Sequence, residues 1–161
     1  MATVTKKYLP QEQQFGGTPY GNGTTLQFNL TTTAAGAVSN GDSTSAVGIG
    51  DVVRMGILPA GVRLHDALAI VSDAFTAATT AKIGFAYVDG VDSTSVPQDD
   101  DYFFVAGLAT NALGRTRSTN TGVAPITLPK DAYVILTNAG AAHASVGILD
   151  LLVECVLVGA P

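Results

Sequence analysis

Apolar residues recur at every second position in short runs, and each run ends at a cluster of Gly, Pro, Asn or Asp. Leu26, Phe28 and Leu30 alternate with polar neighbours, and Lys82–Val88 alternates in the same way. Val62, Leu64, Asp66, Leu68 and Ile70 read as one face of a further strand. In the last run, Val146–Val158, the residues Leu149, Leu151, Val153, Cys155 and Leu157 line one face, with Asp150 and Glu154 on the other. A period of two places successive side chains on opposite sides of a sheet. Runs at Val47–Leu58, Tyr102–Val105, Val123–Leu128 and Tyr133–Thr137 complete the set. Ser39–Asp42, Asp89-Gly90, Leu128–Asp131 and Asn138–Gly140 supply turn residues between them. Roughly eight strands with turn signals every ~8–14 residues predict an all-β fold, a jelly-roll-like β-sandwich. Only Ala106–Leu113 reads as a helical turn, and Gly107 weakens it. No strand alternates with a long helical pattern, which argues against a parallel α/β sheet.

The first 24 residues are different in kind. They mix Lys6, Lys7, Pro10, several Gln and several Gly with isolated Tyr8, Phe15 and Tyr20, and they hold no sustained period. Residues 1–24 are therefore expected to form an extended N-terminal arm, with residues 25–161 as the sandwich domain. Such an arm could reach up to ~80 Å if fully stretched, with its aromatics anchored on a neighbouring subunit. Two Leu-Pro turns, Leu58-Pro59 and Leu128-Pro129, each precede an apolar strand.

Charge narrows the partners. Eight basic against thirteen acidic residues give a net charge of −5, and only 13% of positions are charged. Duplex nucleic-acid binding draws on the opposite balance, so no nucleic acid is expected. The lone Cys155 rules out an internal disulfide framework and a Cys-based zinc site. The start lacks the apolar run of a secretory signal, and no stretch is long and apolar enough for a spanning helix. A product made in the cytoplasm, with no membrane association, is expected.

The search for chemistry returns little. The two histidines, His65 and His143, are far apart in sequence, and no Gly-x-Ser-x-Gly elbow or Gly-rich phosphate loop is present. A catalytic triad would need those histidines to converge with a nucleophile, so no enzyme, no cofactor and no catalytic metal are expected. Asp89–Asp101 reads as an acidic loop leading into Tyr102–Val105, and within it Asp99-Asp100-Asp101 could offer oxygen ligands to calcium, although the spacing fits no EF-hand loop and acidic runs are commonly solvated surface. Cys155 alternates with Leu and Val and reads as core. Arg115 and Arg117 form a basic pair in a polar loop, suited either to solvent or to an acidic partner surface.

Several segments carry a family resemblance: Asp51–Arg63, Ala81–Tyr87, the Asp100-Asp101-Tyr102-Phe103 junction and Leu128-Pro129-Lys130. Together, over residues 46–158, they resemble small tailed-bacteriophage virion proteins described as head decoration or cement proteins. The resemblance implies a jelly-roll domain, acting as a dimer or trimer, on the outer surface of the capsid. It would be bound over junctions between subunits of the major capsid protein after synthesis in the host bacterial cytoplasm. The family supplies no catalytic residues. The contacts expected here, Lys6, Lys7, Tyr8, Phe15, Tyr20, Arg115 and Arg117, come from the physical reading of the chain. The competing expectation is a carbohydrate- or receptor-binding module of a tail or fibre, with Tyr87, Tyr102 and Phe103 as its stacking surface.

Overall fold

Alternation fixes which side chains meet across the sandwich. In the computed structural model, which describes residues 1–5 and 23–158, Leu26, Phe28 and Leu30 are all buried on one side of β2 (Gly23–Thr32). Ala81, Ile83, Phe85 and Tyr87 do the same on β5 (Thr80–Tyr87), and Leu149, Leu151, Val153 and Cys155 on β10 (Gly147–Leu157). The remaining strands are β1 (Thr3–Thr5), β3 (Val52–Leu58), β4 (Val62–Asp73), β6 (Asp99–Ala109), β7 (Gly114–Arg117), β8 (Ile126–Thr127) and β9 (Ala132–Ala139). The described residues contain no helix.

One sheet runs β1-β3-β9-β5-β6 and the other β2-β10-β4-β7, with β8 paired to β4. Setting aside the two shortest strands, the order β3-β9-β5-β6 against β2-β10-β4-β7 is that of a jelly roll, two Greek keys folded face to face. Phe28, Phe85, Phe103, Phe104, Met55 and Leu136 are among the large side chains packed between the sheets. Burying each such group contributes about 1.5–3 kcal/mol.

Three local expectations are corrected. Val62, Leu64, Asp66, Leu68 and Ile70 do not share a face. On β10, Glu154 and Cys155 are consecutive, yet they pair with Asp66 and Leu64, so β4 carries one extra residue at His65. A bulge shifts the two-residue phase. Val62 and Leu64 point inward before it, Ala67, Ala69 and Val71 after it, and Leu68 and Ile70 face out, half-buried.

Second, Ala106–Ala109 continues β6 and does not form a helical turn. Leu108 pairs with Ala81 and is buried, so tertiary pairing overrides the local Ala/Leu preference, and Gly107 takes φ +110° within the irregularity. Third, Asp99–Asp101 belong to β6 and not to the preceding loop. They cross tightly over Gly84, where a Cβ would stand 2.1 Å from the Asp99 carbonyl oxygen. Gly84→Ala is expected to cost about 2 kcal/mol, read as a lower urea midpoint, because backbone must move to admit one methyl.

The two Leu-Pro turns pack on each other. Gly61 N–H donates to Leu128 O at 2.8 Å, Leu128 N–H to Val62 O at 2.9 Å, and Ala60 N–H to the Asp131 carboxylate at 2.8 Å. Leu58 and Leu128 are both fully buried beneath them. At the chain start, β1 pairs in parallel with β3, and Val4 is buried. Ala2 N–H donates to Asp51 and Thr5 N–H to Asp42. Segment 6–22 is therefore entered from one sheet, at Thr5, and left into the other, at Gly23.

Candidate functional site

The histidines do not converge. His65 lies exposed at the β4 bulge, beside Thr24, Glu154 and Val156. His143 packs edge-on against Phe75, beyond the far end of β4, with ring centroids 4.7 Å apart. The extended strand from His65 to Asp73 separates the two by about 25 Å. A catalytic pairing of the two imidazoles is thereby ruled out.

His143 belongs instead to a buried polar knot. Asn138 Nδ2 donates to Gly48 O at 3.0 Å and Ala141 O at 2.9 Å, with a longer contact to Val47 O at 3.5 Å. This turns Asn138 Oδ1 towards His143 Nε2, 3.0 Å away. A carboxamide oxygen only accepts, so Nε2 carries the proton. His143 Nδ1 is buried with no hydrogen-bond partner among the described residues. Burial pushes the His143 pKa down to about 4, so the ring is neutral near pH 7. Gly36, at φ +79°, presses on the His143 carbonyl, where a Cβ would stand 2.0 Å from the oxygen. The knot holds loops together and presents no reactive group to solvent.

Of the residues expected to bind a partner, Lys6, Lys7, Tyr8, Phe15 and Tyr20 lie outside the described residues. Arg115 and Arg117 are on an edge strand, β7, and not in a loop. They differ. Arg117 is drawn onto its own sheet, 2.9 Å from Asp66 and 3.2 Å from Glu154. Arg115 is exposed opposite Ile70 and makes no ion pair among the described residues. Surface pairs of the Arg117 kind contribute little. Arg117→Ala is expected to change unfolding free energy by less than about 1 kcal/mol, measured by urea titration.

The aromatics proposed to stack on sugar are buried. Tyr87, Tyr102 and Phe103 are 3%, 5% and 1% exposed, and the two tyrosines donate to the carbonyls of Val96 and Ala124. They pin the β5–β6 and β7–β8 loops and offer no open ring face. Tyr133, half-buried, is covered by the Arg54 guanidinium 4.5 Å from its centroid. The carboxylates of Asp99, Asp100 and Asp101 lie within 4.8 Å of one another. Lys82 sits 2.5 Å from Asp100, and the Asp101 backbone N–H donates to Asp99. A side-chain hydrogen bond shared between the Asp101 and Asp99 carboxyls, then loss of solvation and the neighbouring negative charges, raise the Asp101 pKa. Cys155 is core, as expected, and burial pushes its pKa up to about 11.

The fold now defines a class: a two-sheet jelly roll whose described polar clusters serve structure. Among solved structures, it is similar over 99% of its length to the whole of a chain from the capsid of Ralstonia phage GP4, with a TM-score of 0.66 and 16% identity. It is also similar, over 88% of its length, to 90% of a chain from the cyanophage Pam1 capsid asymmetric unit, with a TM-score of 0.56 and 16% identity. The shared property at this identity is the fold. No family model and no curated protein matches the chain.

Proposed function

We propose that the chain is a structural protein of a bacteriophage virion that binds the outside of the head and cements contacts between major capsid subunits. The observation that carries this reading is the fold likeness, which runs the whole length of a chain found in a phage capsid. The charge-poor composition supports it, because interface cores are depleted in charged residues. A role in adhesion, not catalysis, also accords with histidines that serve a bulge and a buried knot.

Lys6, Lys7, Tyr8, Phe15 and Tyr20 remain the proposed clip, and Arg115 its companion on β7. Thr5 and Gly23, the residues that flank the proposed clip, are both strand residues. The contour length between them limits the clip to about 30 Å from its anchors, against ~80 Å for a free arm. That is enough to cross one subunit junction. Stabilisation would follow from mass action: a ligand of the assembled shell adds about 2.7 kcal/mol per site at a hundredfold excess over Kd.

Co-sedimentation with purified heads that lack the chain tests this. The full chain is expected to pellet with heads and saturate at a fixed ratio to capsid subunits. A variant with residues 7–20 replaced by a short Gly-Ser linker keeps β1 in place and is expected to remain in the supernatant. No pelleting of the full chain would refute the reading, whereas equal pelleting of the linker variant would refute only the clip.

A further inference from the structure

Strand β7 closes one side of the β2-β10-β4-β7 sheet, and all four of its residues are exposed. Its inner side is fixed by an unbroken register with β4, Leu68↔Arg117, Ala69↔Thr116, Ile70↔Arg115 and Val71↔Gly114. The Ser118 N–H continues that register and donates to Ala67 O at 2.8 Å. Antiparallel pairs alternate between those that exchange hydrogen bonds and those that do not. Counting back from Ser118, Thr116 and Gly114 bond to β4, while the N–H and C=O groups of Arg115 and Arg117 point away from the sheet. Among the described residues, no backbone or side-chain group meets those outward donors and acceptors.

Charge at this edge is unspent as well. Arg115 shares the outer face of the sheet with Ile70 and makes no ion pair among the described residues, whereas Arg117 is drawn onto Asp66 and Glu154. A short cationic edge repels its own copy, because two β7 strands side by side would set arginine against arginine. A strand that carries a carboxylate opposite Arg115 gains a favourable cross-strand pair at the same place, so the feature that rejects a copy selects an acidic partner.

We propose that β7 receives an extended, carboxylate-bearing segment of a shell subunit as an added strand. Backbone hydrogen bonds to Arg115 and Arg117 supply the binding, and the Arg115 guanidinium selects the acidic side chain. Because β7 is already extended and held on β4, its side of the contact loses little freedom. The assignment rests on the shell-binding reading and gives the mode of contact at Arg115.

Co-sedimentation with purified heads that lack the chain, over a series of chain concentrations, tests it. Arg115→Ala removes the charge and keeps the backbone, and its dissociation constant is expected to rise about tenfold. Arg115→Pro also removes the outward N–H and leaves the bonds to β4 in place. A rise of about a hundredfold is expected, with an unchanged circular dichroism spectrum. Arg63→Ala, at an exposed arginine of β4 with no ion pair among the described residues, is the charge control and is expected to bind like the wild type. One measurement needs no variant to fold: hydrogen exchange at the Arg115 and Arg117 amides of the wild type is expected to slow when heads are added. Rapid exchange of those amides in the bound chain, a folded proline variant that binds as well as the alanine variant, or equal weakening by Arg63→Ala would each overturn the assignment and leave shell binding intact. Protection of the same amides in the free chain would overturn it too, since the edge would then be filled without the shell. A wild type that does not pellet refutes the shell-binding reading and the assignment together.

Discussion

Asn138→Leu is expected to destabilise the protein by about 4 kcal/mol and to lower its melting midpoint by about 10 °C. Leucine has the same number and branching of side-chain heavy atoms, so the larger part of the cost comes from polar groups left without partners. The Gly48 and Ala141 carbonyls and the His143 Nε2–H each lose their bond to the carboxamide. Each orphaned buried group costs about 1–3 kcal/mol. The Val47 carbonyl keeps the His143 backbone N–H at 2.9 Å and is spared. A double-mutant cycle with His143→Leu separates the shared bond from the rest. The combined loss should fall short of the sum of the single losses, because the two side chains share one hydrogen bond. Strict additivity would mean that the Asn138–His143 bond contributes nothing.

Acid is expected to weaken the fold before the carboxylates titrate. His143 has a folded pKa of about 4 against an ordinary value of 6.5, so the folded state binds the proton less readily than the unfolded chain. Stability from this group is fully present above pH 6.5 and is lost as pH falls through 4. The loss reaches about 3 kcal/mol at pH 4. Burial is the cause: Phe75 and Asn138 contact the ring, and neither is charged. Asp89, held below the usual carboxylate range by its hydrogen bond to Lys130, acts in the same direction only at lower pH. His143→Gln can still donate to Asn138 and does not titrate, so its unfolding free energy should stay flat between pH 6.5 and 4.5. An equal slope in wild type and variant would contradict the assignment.

The parts of the fold readable from sequence were those decided by local period. In β2, β5 and β10 each alternate residue points inward, and nothing interrupts the phase. The β4 bulge was not readable, because a one-residue slip at His65 is set by the pairing with Glu154 and Cys155, distant in the chain. Ala106–Ala109 and Asp99–Asp101 were misread for a related reason: both become strand through β5, and Gly84 makes room for the second. Thr3-Val4-Thr5 does carry a minimal strand alternation that the Gly- and Gln-rich segment after it obscured. The knot at Asn138 and His143 left a faint signal, two hydrogen-bonding side chains in a stretch of Ala and Gly where loop polarity would ordinarily come from charge.

The central claim is that this chain belongs to the outside of a phage head. Quantitative mass spectrometry of purified virions, from cells in which the chain is made, tests it most directly. The account predicts the chain at a copy number in fixed proportion to the major capsid protein, with surface proteolysis cutting it in intact particles. Its absence from purified particles, or full protection from protease until the shell is opened, would contradict the account.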